Sequence, residues 1–309
     1  MSWPSTFGDS TGEYVAAHDG AGFTGGLSAL FWVVGPDAVS FLQGIVSQDV
    51  EAMGVGTVAR SFLLGPRGKL TAVLWLLRGE DRVGIVSDAS LFEETMSDLA
   101  RWRIRVDAEF EVDERPTFDV WGPERDLVTG DGWVDEEGVL AAQLVPGPIR
   151  RRLVVGIEAD GLRERGFTPV GDDVATTIRI EMGEPRMSVD IDHKTIPQET
   201  GLVPEAVSFT KGCYLGQELV ARIDTRGRVN RHLRAVVLDE AVIPPAGAEI
   251  LLEDKAVGKL TSIGESLAIK APVAMALIRR EAEPGSKVTI SWDGGSAIAT
   301  VEEFPLLST

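Results

Sequence analysis

The stretch Lys211-Gly212-Cys213-Tyr214-Leu215-Gly216-Gln217-Glu218 carries the most unusual residue combination in the chain. Gly212 and Gly216 bracket Cys213 and Tyr214, which permits a tight backbone or the close approach of a ligand. Lys211 sits two residues before Cys213, where its charge favours the thiolate. Polar Gln217 and Glu218 follow at once. Two readings stay open on these residues: Cys213 is a functional thiol, or it is a small buried hydrophobe in a turn that enters a helix.

Just downstream lies a local excess of positive charge: Arg222, Arg226, Arg228, Arg231 and Arg234, interrupted by Asp224 alone. It can receive an anionic ligand, or it can be a solvated basic loop. It stands out because the chain of 309 residues has a formal net charge of -18. Such a surface repels nucleic acid and anionic membrane at long range, so neither is expected as a partner. The N-terminus lacks a basic segment followed by an apolar run, so no signal peptide is expected. No run reaches the roughly 18 apolar residues of a membrane span. Cys213 is the only cysteine, so an intramolecular disulfide is impossible and a reducing cytoplasm is expected. It cannot ligate an iron–sulfur cluster alone. No metal-binding or phosphate-loop motif appears.

Residues 1–26 contain six glycines and read as irregular. Leu27–Val34 reads as a buried strand, broken by Gly35-Pro36-Asp37. A helix follows from Ala38 to near Ser47-Gln48-Asp49. Thr57–Leu64 and Lys69–Leu77 flank Gly65-Pro66-Arg67-Gly68, a hairpin signal. The second of these strands is apolar on both faces, which places it inside a sheet. Arg82–Val86, Val106–Val112 and Arg150–Ile157 are further strands. Ser90–Glu93 reads as a capping box opening a helix with Phe92, Met96, Leu99 and Trp102 on one face. The segment 113–147 is turn-rich, with Gly122-Pro123, Gly130-Asp131-Gly132 and Pro146-Gly147 among its signals. Asp172–Glu181 is a helix. Beyond about residue 230, five short apolar runs (235–238, 250–252, 257–263, 288–292 and 297–301) predict a small β-barrel or sandwich.

KGCYLGQE resembles the signature of the YgfZ family of folate-binding, iron–sulfur-related proteins, which is related to the glycine-cleavage T-proteins. Other segments resemble the same group: Gly35–Ala38 with Phe41–Gly44 and Gln48-Asp49, the turn Gly65–Lys69, Arg179–Arg186 as R-x-E-x-G-x-P-R, Ile196–Glu199, and Gly258–Ser262 as G-x-x-T-S. The resemblance spans about residues 27–300. It implies an α+β fold: a three-lobed T-protein-like folate-binding region over 1–230, then a C-terminal β-barrel over 231–309. It implies tetrahydrofolate or a one-carbon derivative as cofactor. It implies iron–sulfur assembly or client proteins as partners, hence a place in one-carbon metabolism and iron–sulfur cluster assembly.

By this resemblance Glu181 is the acid that pairs with the pterin, since a carboxylate can accept two hydrogen bonds from its amino-pyrimidine edge. The plain alternative is an exposed helix acid. Arg226 and Arg231 become candidates for the folate glutamate carboxylates. T-proteins resemble this chain with two differences. They have an acid in place of Cys213, and a catalytic aspartate at a position that, counted from Gly68, falls at Ala72. An aminomethyltransferase is therefore not expected. The three functions in play are a tetrahydrofolate-dependent accessory factor for iron–sulfur enzymes, a folate-dependent one-carbon transferase with altered groups, and a non-catalytic interaction module.

Overall fold

The computed structural model describes residues 3–122, 132–145 and 149–307. The turn signals at Pro123, Gly130-Asp131 and Pro146–Pro148 lie outside the described residues. The chain opens with helix α1 (Ser10–Asp19) and strand β1 (Gly22–Gly25), where the glycine count predicts irregular structure. Tertiary packing overrides that signal. Asp9 caps the helix by accepting from Gly12 N at 2.9 Å, and Tyr14 and Ala17 are buried against a later helix.

Strand β2 (Ser28–Val34) follows, then α2 (Ala38–Gln43). This helix stops several residues short of its expected end. The Gln43 side chain halts it, accepting from Val50 N at 2.8 Å and donating to Asp49 at 3.0 Å. The hairpin β3 (Val58–Leu64) and β4 (Leu70–Arg78) is as the sequence predicts, followed by β5 (Arg82–Asp88), α3 (Phe92–Ala100) and β6 (Glu109–Val112). The capping box does not form. Asp88 accepts from Ser90 N at 2.9 Å instead, starting a short 3-10 turn before α3. Trp102 falls beyond the helix and is exposed.

The supposedly turn-rich segment holds β7 (Thr117–Trp121), β8 (Trp133–Glu136) and β9 (Val139–Val145). Next come β10 (Arg151–Val155), α4 (Ala159–Glu164), β11 (Thr168–Pro169), α5 (Asp172–Met182), and the short helices α6 (Val203–Ala206) and α7 (Gln217–Arg226). Six strands close the chain: β12 (Arg231–Leu238), β13 (Glu249–Leu252), β14 (Lys255–Ser266), β15 (Ala271–Arg279), β16 (Lys287–Trp292) and β17 (Gly295–Glu302).

These elements make three bodies. One sheet has the order β3-β4-β5-β2-β6, the second β11-β1-β7-β10-β9-β8, and the last six strands form a closed barrel. The barrel is the C-terminal one that the sequence predicts, following the two sheets of the preceding region. β4 lies inside the first sheet, which accounts for its apolar character on both faces. Trp32, Leu77, Leu140 and Leu153 fill the space between the two sheets. Leu42, Leu74 and Leu99 cover the other face of the first. The barrel strand that the hydrophobic runs do not reveal is β15. Its alanines at 271, 274 and 276 have weak strand propensity. No helix among the described residues is long and apolar enough to cross a membrane.

Candidate functional site

Strand β4 offers one face to a narrow cleft that it shares with β5, the start of β2 and the segment after α5. Val73, Trp75 and Val86 form an apolar wall, and Arg151, Glu184 and Arg186 a charged one. The charges are held in place. Arg186 Nε meets Asp88 at 3.2 Å, and Arg151 Nε donates to Asp119 at 2.8 Å. Glu184 sits between Arg60, to which it is hydrogen-bonded, and Arg151 at 3.7 Å. The Arg60 guanidinium lies 4.3 Å above the Trp75 ring, a cation–π contact that fixes both. Glu184 also lines a second opening, bounded by Phe304 and Pro305. One carboxylate therefore stands where two openings meet.

Ala72 is not the residue that faces this cleft. A bulge at Thr71 interrupts the β3–β4 register, where Leu63 pairs with Ala72 and Leu64 with Leu70. A bulge exchanges the two faces of a strand. Ala72 consequently enters the core beside Leu74, and Val73 takes the cleft side. Neither Ala72 nor the cleft-facing Val73 is an acid.

Glu181 is not an exposed helix acid. It is fully buried. One carboxylate oxygen accepts from the Tyr14 hydroxyl at 2.6 Å and the other meets His18 Nε2 at 2.8 Å. The Tyr14 and His18 rings stack at 4.3 Å. Burial, and then the hydrogen bond to Glu181, push the Tyr14 phenol above its ordinary pKa. This cluster pins α1 to α5. In the R-x-E-x-G-x-P-R segment, the acid that faces a cleft is Glu184.

The other charges of that segment form a lock. Arg179 Nη1 donates to Asp190 at 3.1 Å and Nη2 to Ser262 at 3.1 Å. Thr261 and Ser262 each donate to the second oxygen of Asp190 at 2.6 Å. The G-x-x-T-S hydroxyls thus tie the barrel to α5 through one aspartate.

The signature segment is built differently. Leu215 N donates to Gly44 O at 3.1 Å. Lys211 Nζ donates to the carbonyls of Val46 at 2.8 Å and Gln48 at 2.7 Å. Its charge is therefore directed into the first lobe rather than reserved for Cys213. Burial lowers its pKa to about 8, against the pull of Asp49 and Glu51. Gly216 has a φ of +78° and presses on the hairpin turn, where an added Cβ would lie 2.6 Å from Gly65 O. Gly68 approaches from the other side, and its own Cβ would lie 2.5 Å from Leu219 Cβ. Gln217 accepts from Tyr214 N at 3.2 Å, and Gln198 donates to Val220 O at 2.9 Å. Tyr214 is buried. What remains outward is Cys213, exposed, with open space around Gly212 and with exposed Glu218 nearby in the chain.

Three motif segments that lie far apart in sequence, around Gly44 to Gln48, Gly65 to Gly68 and Gln198, thus converge on this loop and the helix that follows it. They do not bring Cys213 to the cleft. The loop packs on the turn of the hairpin, and Trp75 lies seven residues of strand beyond Gly68, roughly 20 Å away. Arg231 is also apart, forming a two-pronged pair with Glu199 at 2.9 and 3.2 Å. Arg226 ends α7, and its side chain lies outside the described residues. Tyr14, His18, Arg60 and Asp190 were not legible as site residues. Each acquires its partners from segments far away in sequence.

Residues 231–307 match the family model of the glycine cleavage T-protein C-terminal barrel domain. The glycine cleavage system aminomethyltransferase T of Bartonella henselae superposes with a TM-score of 0.89, covering 99% of this chain and 91% of that one at 19% identity. The chain therefore has the T-protein fold. In sequence, proteins of Shigella boydii and Escherichia coli, each named tRNA-modifying protein YgfZ, are 27% identical over 241 residues, 73% of this chain and 74% of theirs. Within the T-protein fold, this chain is a relative of the YgfZ proteins.

Proposed function

We propose that this chain is a cytoplasmic tetrahydrofolate-binding accessory protein that supports iron–sulfur enzymes, with Cys213 as its point of contact with a partner. The observation that carries the reading is the division of labour in the signature loop. Every neighbour of Cys213 with a hydrogen-bonding or packing role serves the scaffold, while the thiol itself is presented to solvent. A rigid loop holding one exposed group suits transient contact with a partner.

The lining of the cleft has the chemistry that a folate head group needs. A pterin needs a flat apolar wall and hydrogen-bonding groups at its edge. Val73, Trp75 and Val86 supply the first, and Glu184, Arg151 and Ser28 the second. Behind Ser28 and Arg151, the buried Oδ2 of Asp119 has no partner, and neither has Nε of Arg179. These are polar groups with capacity left for a ligand. In this reading Glu184 takes the role that the resemblance gives Glu181, whose oxygens are both occupied. Arg231 and Arg226 are less suited to the tail carboxylates, because Arg231 is already paired with Glu199. When bound, the folate would supply one-carbon chemistry; the chain's own residues bind and orient it.

The relatives are named for tRNA modification. With a net charge of -18, this chain would act there through a modifying enzyme rather than by holding RNA. The transferase reading finds less support, since apolar Val73 stands at the cleft face of β4.

Anaerobic calorimetry with tetrahydrofolate tests the cofactor. Binding that weakens about tenfold or more in Glu184→Gln supports the cleft, because hydrogen bonds to charged groups are worth about 1.5–3 kcal/mol. No binding by the wild type to any folate removes the cofactor and leaves an interaction module. In cells lacking the protein, iron–sulfur enzyme activity restored fully by Cys213→Ala would overturn the role of the thiol.

A further inference from the structure

The inner face of the barrel ends in cations. Val236 and Leu238 of β12, and Ala274, Ala276 and Ile278 of β15, enter its apolar interior. The two-residue period of a strand carries that same face outward to Arg234 and His232 on β12, and to Arg280 just beyond β15. Pairing of His232 with Ile278 and of Arg234 with Ala276 sets the two strands in register. Arg280 N donates to Asn230 O at 3.0 Å, continuing the ladder. The three side chains meet in an open cleft, with Ile278 and Ala282 of the barrel core beneath them and Glu283 at its exposed rim.

Their hydrogen-bonding capacity is largely unused. Among the described residues, the His232 ring and the Arg280 guanidinium have no hydrogen bond or ion pair. Arg234 has only a 3.4 Å contact with the neighbouring Leu233 carbonyl and a 3.7 Å pair with Glu303. Burial, reinforced by Arg234, holds His232 below its ordinary pKa, with Glu199 and Glu303 opposing. Two guanidiniums and an imidazole gathered at a barrel mouth over an apolar floor are a recognisable ligand seat.

We propose that this barrel mouth binds a phosphate-type oxyanion, either free or as a monoester. Three donors from two adjacent strands suit a tetrahedral anion with several acceptor oxygens, whereas a planar carboxylate is satisfied by one guanidinium fork. The site is separate from Cys213 and shares no residue with the cleft under β4, although Arg234 also lines the second opening that Glu184 reaches.

Proton NMR of the full chain tests it. The chain has three histidines, so the imidazole signal of His232 can be assigned with His232→Gln. Titration with inorganic phosphate near pH ~6.5, where histidine titrates, should move that signal saturably and leave those of His18 and His193 in place. Arg280→Glu, at an exposed position, should fold normally and weaken the response about tenfold or more. A simple alkyl phosphate binding more tightly than phosphate assigns the site to a phosphorylated molecule, and the reverse order assigns it to the free anion. No saturable shift, an equal shift with acetate at matched ionic strength, or an unchanged response in Arg280→Glu would each overturn the proposal.

Discussion

The segment 179–190 and the segment 211–218 are both dense in polar residues, yet they meet opposite fates. In the first, Arg179, Glu181 and Asp190 are buried, with their side chains hydrogen-bonded inside the protein. In the second, polar side chains secure the loop from beneath and leave Cys213 in solvent. The contrast teaches that an unusual polar motif is not by itself a site. A buried ion pair is costly to break and says little about activity, whereas an exposed group on a fixed loop has no structural reason to be there.

That contrast can be broken by substitution. The largest effect is expected at the lock. Asp190→Ala strands buried Arg179 and should cost about 3–5 kcal/mol in denaturant unfolding. A loss under 1 kcal/mol would show that the barrel is held to α5 by packing alone. Gly216→Ala forces a side chain into a left-handed backbone and against Gly65 O. It should cost about 1–3 kcal/mol and shift the signals of the hairpin turn, and unchanged stability would separate the loop from the turn.

A smaller effect is expected with pH. His232 has a folded pKa below its unfolded value, so the unfolded chain binds more protons in the window beneath the ordinary histidine pKa. Stability should therefore fall as pH drops through that window and level off below the folded pKa. His232→Gln should flatten this part of the profile, and a profile identical to wild type would remove His232 as its source. The smallest effect belongs to the other half of the comparison. Cys213→Ser should change stability by no more than about 0.5 kcal/mol, as at most exposed sites. Ellman's reagent should titrate one thiol in the native protein at once. A slow reaction limited by unfolding would place Cys213 with the buried group.

The hairpin, α5 and the barrel could be read in advance because their signals are local. Gly65–Gly68 marks a turn, and Val174 and Ile178 repeat at helical spacing. Other elements could not be read in this way. Helix α1 stands against its glycines because Tyr14 and Ala17 find a partner in α5. Strand β15 is hidden by its alanines, which a neighbouring strand on either side makes acceptable. That Val73 rather than Ala72 lines the cleft could not be read either, because the bulge at Thr71 leaves no local mark.

The sequence by itself determined the fold, through motifs spread from the first strand to the barrel, and it singled out Cys213 as the residue to watch. Only the tertiary structure decided which polar residues are available. Glu181 is sealed by Tyr14 and His18, Lys211 is drawn to backbone carbonyls, and Glu184 is left at the junction of two openings. The physical reason is that hydrogen-bond partners and burial are set by segments distant in the chain, and the residue types alone do not encode them.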